Sequence, residues 1–365
     1  MIKKNLIIFI PSIEQGGVEK NLFLISNFLA TKINKVKLIT ASNDHRHFKK
    51  INIVGPKSKI WPNTSRYSKY FICLVILFKL FLKSKNYVVF AFQANLYCVI
   101  ICKLFGIKII VRSNTSSIGW SQNFIKKFIY KKILNIADQV IVNSNDFKKE
   151  LKRSFSINAK CIFNPLNKNE IIKRSKEKLK FNFLKTSLIK IINVARFTDQ
   201  KDHLTLLNAM KRIKKKIEFR LVLIGAGPNR NLLENYILEN NLKKNIKILN
   251  YQNNPYKYIR NCDIFILTSK FEGLPNVLLE AAVLKKFIIS TNCPTGPREI
   301  LSNGKGGELV KIGNFKSISE KIISYSKNKN KFIKKINYNF KSLKKFDYYM
   351  NLNQYLLVVE KYLKS

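Results

Sequence analysis

Short apolar runs alternate with stretches of helical period along the chain, and this alternation constrains the fold more than any other feature of the sequence. Parallel strands need crossover connections, which are usually helices, so the alternation predicts an α/β fold with parallel sheets. The predicted strands lie at residues 6–10, 36–40, 87–92, 107–111, 139–142, 188–194, 220–224, 246–249, 264–268, 287–290 and 308–310. Helices are predicted at residues 17–30, 70–82, 96–104, 124–136, 144–151, 203–213, 229–240, 256–261, 275–284, 297–301 and 315–325.

The chain has 365 residues, which is enough for two domains of ordinary size. Pro165 and the Lys- and Asn-rich run after it indicate an interdomain connection, so we expect one domain in residues 1–163 and a second in residues 164–346. Residues 327–345 are basic and low in complexity, and residues 347–363 return to an amphipathic helical period. Two doubly wound domains that face each other would place a ligand site in the cleft, at the carboxyl ends of their strands.

Glu272 and Glu280 bracket the most informative stretch of the sequence, FEGLPNVLLEAA. Pro275 suits the first turn of a helix, so Glu272 should precede that helix and Glu280 should lie about two turns inside it. Free N–H groups at a helix N-terminus favour an anion such as a diphosphate, and flanking carboxylates can accept hydrogen bonds from sugar hydroxyls. This arrangement suits a nucleotide-sugar. The alternative is a helix with one glutamate before it and one exposed glutamate on it.

Arg196 and Lys201 lie five residues apart in a predicted strand-to-helix loop, VARFTDQKD. Two cations at the carboxyl end of a strand can converge on one point and neutralise a departing diphosphate. In a chain this basic, two solvated surface charges are the alternative interpretation.

Three further loops that follow predicted strands carry glycine. Gly16-Gly17 and Gly225-Ala226-Gly227 would either bring backbone N–H groups close to a phosphate or a sugar, or form tight turns. The second loop departs from the dinucleotide-binding fingerprint, because Arg230 stands where a glycine or alanine is needed. Gly296-Pro297 would begin a short helix, from which Arg298 could reach an anionic group or pair with a carboxylate.

The net charge is +47, and no acidic residue occurs between Asp44 and Asp138. A surface of one sign should attract anionic partners such as phospholipid, a lipid-linked diphosphate or nucleic acid, unless the protein is simply basic throughout. The six cysteines form no CxxC pair and are expected as reduced, buried thiols. With three histidines in the chain, a histidine-based metal site is not expected.

No stretch is long and apolar enough to predict a membrane span. The most apolar run, residues 71–82, is short and interrupted by Lys79, and it is predicted either as a core helix or as an interfacial helix beside flanking lysines. Residues 5–10 lack the following cleavage site of a signal peptide and are better explained as a first buried strand.

Taken together, these segments resemble the family 4 retaining glycosyltransferases of the GT-B fold, over nearly the whole chain. The resemblance is strongest from Val194 to Val310, where VARFTDQKDH, LVLIGAGP, NPYKYI, TSKFEGLPNVLLEA and CPTGPREIL follow in the family's order. In the first half it depends on GGVE at residues 16–19 and ADQVIVNS at residues 137–144. It implies two Rossmann-like domains facing across a cleft, with a C-terminal helix in residues 347–365 that returns to the first domain.

The resemblance also implies roles for individual residues. Arg196 and Lys201 match the pair that holds the donor diphosphate. Glu280 matches the carboxylate on the ribose hydroxyls, and Glu272 the carboxylate that faces the transferred sugar. The remaining donor-side residues form the backbone shelf and the glycine-containing loops beside the donor: Gly16, Gly17, Gly225, Gly227, Gly273, Leu274, Pro275 and Asn276. Residues 250–253 would border the base. No cofactor and no metal is implied, because arginine and lysine replace the divalent cation.

The acceptor side departs from the family pattern. Many relatives carry a histidine after a middle strand of the first domain, whereas this chain has only His45 and His47 there, in a loop-like stretch. A polar side chain such as Gln93 or Asn114 would have to substitute for that histidine. Asn250 stands where many relatives have a glycine.

The sequence therefore predicts a retaining glycosyltransferase that moves a hexose or N-acetylhexosamine from a nucleotide-sugar to a glycan or lipid-linked acceptor in surface-polysaccharide assembly. The resemblance favours a UDP-sugar and a polyprenyl-diphosphate-linked acceptor, but it does not fix the sugar or the linkage. The expected location is the cytoplasm, on the inner face of an anionic membrane. The alternatives are a dinucleotide-binding oxidoreductase, a GT-B phosphorylase or epimerase, and a nucleic-acid-binding protein, which the lack of aromatic-interleaved basic motifs disfavours.

Overall fold

A computed structural model describes residues 4–13, 16–43, 48, 50–58, 60–114 and 123–365 of the chain, so His45 and His47 lie outside the described residues. The chain divides into two compact units, Met1–Pro165 with Tyr348–Ser365, and Leu166–Asp347. The first unit thus extends to Pro165, two residues beyond the predicted end of the first domain at residue 163. The returning segment begins at Tyr348, one residue after the predicted start at residue 347.

The first unit is built on a seven-stranded parallel sheet in the order β3-β2-β1-β4-β5-β6-β7. Its strands are β1 (Asn5–Phe9), β2 (Val36–Ile39), β3 (Asn52–Val54), β4 (Tyr87–Ala91), β5 (Lys108–Ser113), β6 (Gln139–Val142) and β7 (Lys160–Cys161). Its helices are α1 (Gly17–Lys32), α2 (Arg66–Lys83), α3 (Asn95–Leu104), α4 (Phe124–Asn135), α5 (Asn145–Phe155) and the C-terminal helix (Tyr348–Lys364).

Apolar side chains from both faces of this sheet are buried, as expected for strands covered by helices on each side. On one face, residues of α2, α3 and α5 such as Leu77, Cys98 and Leu151 pack on the strands. On the other face, α1 and the C-terminal helix cover the sheet with residues such as Leu22 and Tyr355. The C-terminal helix therefore belongs to the first unit, as the resemblance implied.

The second unit is built on a six-stranded parallel sheet in the order β10-β9-β8-β11-β12-β13. Its strands are β8 (Ile189–Val194), β9 (Phe219–Ile224), β10 (Ile246–Leu249), β11 (Ile264–Leu267), β12 (Phe287–Thr291) and β13 (Glu308–Val310). Its helices are α6 (Lys168–Ser175), α7 (His203–Ile213), α8 (Arg230–Glu239), α9 (Tyr256–Arg260), α10 (Asn276–Val283), α11 (Pro297–Ile300), α12 (Phe315–Lys327) and α13 (Ile333–Ser342). The strand order reverses between β8 and β11, and ligands of such sheets bind where the order reverses.

Four elements were missed or misassigned from the sequence. Helix α6 occupies the Lys- and Asn-rich run that was predicted as a connection, because Ile171 and Ser175 lie four residues apart and are buried while the charged residues of the helix are exposed or half-buried. Helix α13 lies within the supposedly low-complexity segment and packs against α10 and β12. Strands β3 and β7 have three and two residues and lie at the sheet edges, so they are too short for an apolar pattern.

None of the helices in the described ranges combines the length and the apolarity that a bilayer crossing requires.

Candidate active site

Three loops of the second unit meet where neighbouring strands end. They follow β8, β11 and β12, which lie next to one another in the sheet. Lys201 belongs to the first loop, Glu272 to the second and Thr295 to the third. Because the carboxyl ends of adjacent parallel strands share one edge of the sheet, these loops can hold side chains together beside the switch point, which is where the strand order reverses between β8 and β11.

The central feature is an ion pair between Lys201 and Glu272. The Lys201 Nζ atom lies 2.5 Å from Glu272 Oε1, and the hydroxyl of Ser269 donates to the same oxygen at 2.6 Å. The glutamate side chain is 8% exposed and the lysine side chain 15%. Charge-assisted hydrogen bonds shielded from water are strong and directional, so this carboxylate has a fixed orientation.

Side chains from the neighbouring loops also fix the backbone around this glutamate. The hydroxyl of Thr295 donates to the Glu272 carbonyl at 2.5 Å, and the Gln200 amide donates to the Phe271 carbonyl at 2.8 Å. Thr295 has φ +60°, which is unusual for a β-branched residue and costs about 1–3 kcal/mol. Such strain persists only where surrounding contacts determine the conformation, and it is common at functional sites.

Gly296 brings the loop after β12 directly onto the Gly273 backbone. Its φ is +78°, and a Cβ atom at this position would lie 2.2 Å from the Gly273 carbonyl oxygen and 2.7 Å from Pro275 Cδ. Glycine alone tolerates both the left-handed φ and this close approach. The predicted donor-side segment of Gly273, Leu274 and Pro275 is therefore a buried, closely supported stretch of backbone.

Helix α10 begins one residue later than the sequence predicted. Pro275 is the N-cap residue and Asn276 the first helical residue, and no side chain caps the first turn. Glu280 is then the fifth residue of α10 and lies little more than one turn inside it, not two turns as predicted.

Glu280 is buried, which excludes the interpretation as an exposed helix residue. Its side chain is 4% exposed, and the Tyr256 hydroxyl donates to Glu280 Oε1 at 3.4 Å. The guanidinium of Arg174 lies 5.3 Å from the centre of the Tyr256 ring. Glu280 is thus an interior acceptor near the predicted base-binding residues 250–253, where the Arg174 guanidinium donates to the Asn253 carbonyl at 2.6 Å.

Arg196 is exposed on the same loop as Lys201, and within the described ranges its guanidinium makes no hydrogen bond or ion pair. The two predicted donor glycines of the next loop pack against this loop. A Cβ atom at Gly225 would lie 2.0 Å from the Ala195 carbonyl oxygen, and one at Gly227 would lie 2.4 Å from that of Phe197. These glycines therefore position the loop that carries both cations.

The remaining predicted residues lie in the first unit. Gly16 and Gly17 are exposed at the start of α1. Gln93 is buried and its Oε1 atom accepts a hydrogen bond from the Ser12 backbone at 3.1 Å, while the Asn114 amide donates to a carbonyl after β4 at 3.5 Å. Gln93 and Asn114 thus follow adjacent strands of the first sheet.

Sequence reasoning missed the hydroxyl residues that hold the two glutamates and the loop around Glu272. Ser269 and Thr295 contact Glu272, Thr291 donates to the Ser269 carbonyl at 2.6 Å, and Tyr256 contacts Glu280. Serine or threonine directly after a predicted inner strand is the signal that could have found two of them, Ser269 and Thr291. Among the described residues, no group of three or more His, Cys, Asp or Glu side chains could hold a metal ion.

His203 begins α7 beside this site and is 3% exposed. Its ring packs edge-on against Phe197 with centroids 5.1 Å apart, and its Nε2 atom has no hydrogen-bond partner in the described part of the chain. Burial, together with the nearby charge of Lys201, lowers the pKa of His203 from 6.5 to about 4.

We expect His203 to make the stability of the protein fall as the pH is lowered from 6.5 to 4. In this window the unfolded chain protonates His203 and the folded chain does not, so the unfolded state binds more protons and gains stability. The loss by pH 4 should reach roughly 3 kcal/mol at about 1.4 kcal/mol per pKa unit. Urea unfolding of the wild type and His203→Gln across this range tests it. Equal pH slopes in the two proteins would contradict the assignment.

Two family models match the chain. Residues 15–168 match the model described as Glycosyltransferase Family 4, and residues 175–342 match the model described as Glycosyl transferases group 1.

Several known proteins are similar to the chain. An uncharacterized glycosyltransferase of Methanocaldococcus jannaschii is 33% identical over 52% of this chain and 52% of its own length. The N-acetylgalactosamine-N,N'-diacetylbacillosaminyl-diphospho-undecaprenol 4-alpha-N-acetylgalactosaminyltransferase of Campylobacter jejuni is 29% identical over 61% of this chain and 62% of its own length. The chain thus spans between half and two thirds of the length of these relatives. The crystal structure of HepE from Anabaena in complex with UDP superposes with a TM-score of 0.80 at 14% identity, over 98% of this chain and all of that one.

Proposed function

The chain belongs to the glycosyltransferases of the GT-B fold, and we propose that it transfers a hexose or N-acetylhexosamine from a nucleotide-sugar to a glycan acceptor with retention of anomeric configuration. The observation that carries this proposal is the buried contact of Lys201 with Glu272 at the switch point of the second sheet. This contact places two groups side by side. The Lys201 amine can neutralise a leaving diphosphate, and the Glu272 carboxylate can accept hydrogen bonds from a sugar.

Lys201 and Arg196 are proposed to stabilise the leaving group. When the bond between the anomeric carbon and the diphosphate oxygen breaks, negative charge grows on that oxygen, and fixed cations lower the barrier. The acceptor hydroxyl forms the new bond on the face that the diphosphate leaves, and its proton passes to the departing phosphate oxygen. Arg196 is exposed, so its guanidinium is accessible to the diphosphate of a donor. Lys201 already pairs with Glu272, so its amine would contact both the carboxylate and the diphosphate when the donor binds.

Glu272 and Glu280 are proposed to orient the two sugars of the donor. Both are buried, and each is held by a hydroxyl, from Ser269 and Tyr256 respectively. A carboxylate whose direction is already fixed loses little entropy when it binds a hydroxyl, so it positions the sugar well. Glu272 would face the transferred sugar and Glu280 the ribose.

The proposed donor is a UDP-sugar and the proposed acceptor is a polyprenyl-diphosphate-linked glycan in surface-polysaccharide assembly. The UDP bound by the structurally similar Anabaena protein supports the donor class. The Campylobacter relative, whose name specifies an undecaprenyl-diphosphate-linked sugar as its acceptor, supports the acceptor class. A net charge of +47 fits an anionic acceptor and a peripheral place on an anionic membrane. Gln93 and Asn114 are the proposed acceptor-side residues of the first unit.

A donor screen followed by a transfer assay tests this function. We expect one UDP-sugar to raise the melting temperature, and its UDP to be released only when a polyprenyl-diphosphate-linked glycan is added. The rate should persist in EDTA, because lysine and arginine take the role of a divalent cation. No stabilisation by any UDP- or GDP-sugar would refute the proposal. Acceptor-independent turnover would instead indicate an epimerase, and stabilisation and absorbance changes with a nicotinamide dinucleotide would indicate an oxidoreductase.

A further inference from the structure

We propose that helices α2, α3 and α4 of the first unit together form a docking face for an anionic phospholipid bilayer. The proposed function includes an anionic membrane as a partner, and this inference identifies the protein surface that would contact it. The inference rests on that proposed function, although lipid binding can be measured without any catalysis.

Helix α2 has two apolar faces, of which only one is used in the core. Cys73, Leu77 and Phe81 are buried against the sheet. A second row is left in solvent and consists of Tyr67, Phe71, Phe78 and Leu82, which are 80%, 65%, 43% and 66% exposed. These four follow one another at spacings of four, seven and four residues, which places them on one side of the helix. The core and interfacial interpretations of residues 71–82 therefore apply to different faces of one helix.

The exposed apolar row continues onto the next two helices. The exposed large apolar side chains of α3 are Tyr97, Ile100 and Leu104, and those of α4 are Ile125, Phe128 and Ile129. Helix α3 packs against both α2 and α4, so the three rows lie on neighbouring helices. The pKa of Tyr130 on α4 is raised by its burial and by its neighbours Tyr97 and Tyr67, which places residues of all three helices close together.

This concentration of exposed apolar residues is unusual for the molecule. More than half of the exposed large apolar side chains in the described residues fall between Ile60 and Ile136. Large contiguous apolar patches mark interaction surfaces, because water-facing surfaces of soluble proteins rarely carry them. We therefore expect this patch to bind a partner, and the charges around it indicate the chemical class of that partner.

Every charged residue on the three helices is basic. They are Arg66, Lys69, Lys79, Lys83, Lys103, Lys126, Lys127, Lys131 and Lys132. Lys103 pairs with Asp138, which lies just after the acid-free stretch. Lysine stems can lie along an apolar surface while their amines reach the polar region, as where Lys132 Nζ lies 5.5 Å from the Phe128 ring centre.

An anionic bilayer complements this face better than a second copy of the chain. Apolar side chains beside lysines match the acyl boundary and the anionic headgroups of a leaflet, and each basic residue near such a surface contributes about 1 kcal/mol. Two copies that met through this face would bring lysine against lysine, which costs free energy when the charges are desolvated.

Vesicle flotation of the purified full chain tests the proposal. We expect binding to phosphatidylcholine vesicles that contain phosphatidylglycerol, weaker binding as salt is raised, and little binding to phosphatidylcholine alone. The triple variant Phe71→Ser/Leu82→Ser/Phe128→Ser changes exposed residues and keeps every charge. It should bind at least about tenfold more weakly, because it removes apolar burial at the lipid boundary.

Leu357→Ser and Leu232→Ser are matched controls, since these leucines are 64% and 48% exposed but lie on the C-terminal helix and on α8. Both should bind vesicles as the wild type does. The triple variant should also keep the wild-type rise in melting temperature with the UDP-sugar in the absence of vesicles, so that loss of docking is distinguished from failure of donor binding by the proposed enzyme. Wild-type lipid binding by the triple variant would overturn the proposal, as would a dimer in analytical ultracentrifugation that only the triple variant abolishes.

Discussion

Replacing Lys201 by methionine should reduce the rate of glycosyl transfer by about 10²–10³-fold, the usual loss when one preorganised group is removed from a developing negative charge. Methionine keeps most of the apolar stem and removes the amine that lies 2.5 Å from Glu272 Oε1. The carboxylate keeps the hydrogen bond from Ser269, so its position survives, and under the proposed function the loss falls mainly on the neutralisation of the leaving diphosphate. Turnover at saturating UDP-sugar and acceptor is the measurement.

Lys270→Met is the matched control. Lys270 is exposed in the loop that carries Glu272 and differs from Lys201 in having no ion pair in the described part of the chain. In a protein of net charge +47, this control separates a local effect from a general loss of positive charge. We expect a rate within about twofold of the wild type, in line with the small effects of exposed substitutions. A normally folded Lys201→Met protein that keeps more than a tenth of wild-type turnover would contradict the assigned role.

The inner strands of both sheets could be predicted closely, because strands covered on both faces are continuous apolar runs. Strand β6 has the predicted bounds and the other inner strands differ from theirs by one to three residues, and the apolar edge strands β10 and β13 also have the predicted bounds. The failures share one cause, since α6, α13 and the short edge strands β3 and β7 have few buried residues. In a lysine-rich chain, an amphipathic helix with one or two core residues is hard to distinguish from a basic linker.

The loops of the site could be predicted, but not the contacts within them. Family order and strand ends placed Lys201 and Glu272 on neighbouring loops. Their pairing depends on the register of β8 beside β11 and on the hydrogen bonds of Thr295 and Gln200, which are tertiary features. The sequence also gave no means of separating a glycine that approaches a ligand from one that packs against a neighbouring loop, as Gly225 does.

Tyr355→Phe should destabilise the first unit by about 2–4 kcal/mol, because it removes the acceptor of a buried charged donor. Arg112 is fully buried, its Nε donates to the Tyr355 hydroxyl at 2.9 Å, and its Nη2 donates to Asn164 Oδ1 at 2.7 Å. It forms no ion pair with any carboxylate in the described ranges, so neutral groups compensate the charge: these two acceptors and the Phe92 and Tyr355 rings, whose centres lie 5.7 and 5.8 Å from the guanidinium carbon. The same hydroxyl donates to the Ile162 carbonyl at 3.2 Å, which ties the C-terminal helix to the sheet.

Urea unfolding measures this loss, and Tyr362→Phe on the same helix provides the comparison. The Tyr362 hydroxyl donates to the Asp138 carbonyl at 2.8 Å, which is a neutral hydrogen bond, so its removal should cost only about 1 kcal/mol. Adding Arg112→Met to Tyr355→Phe should recover part of the stability, because replacing both members of a buried polar pair by apolar groups removes the uncompensated charge. Equal losses in the two tyrosine variants, or a double variant less stable than Tyr355→Phe, would show that the hydroxyl does not compensate the buried cation.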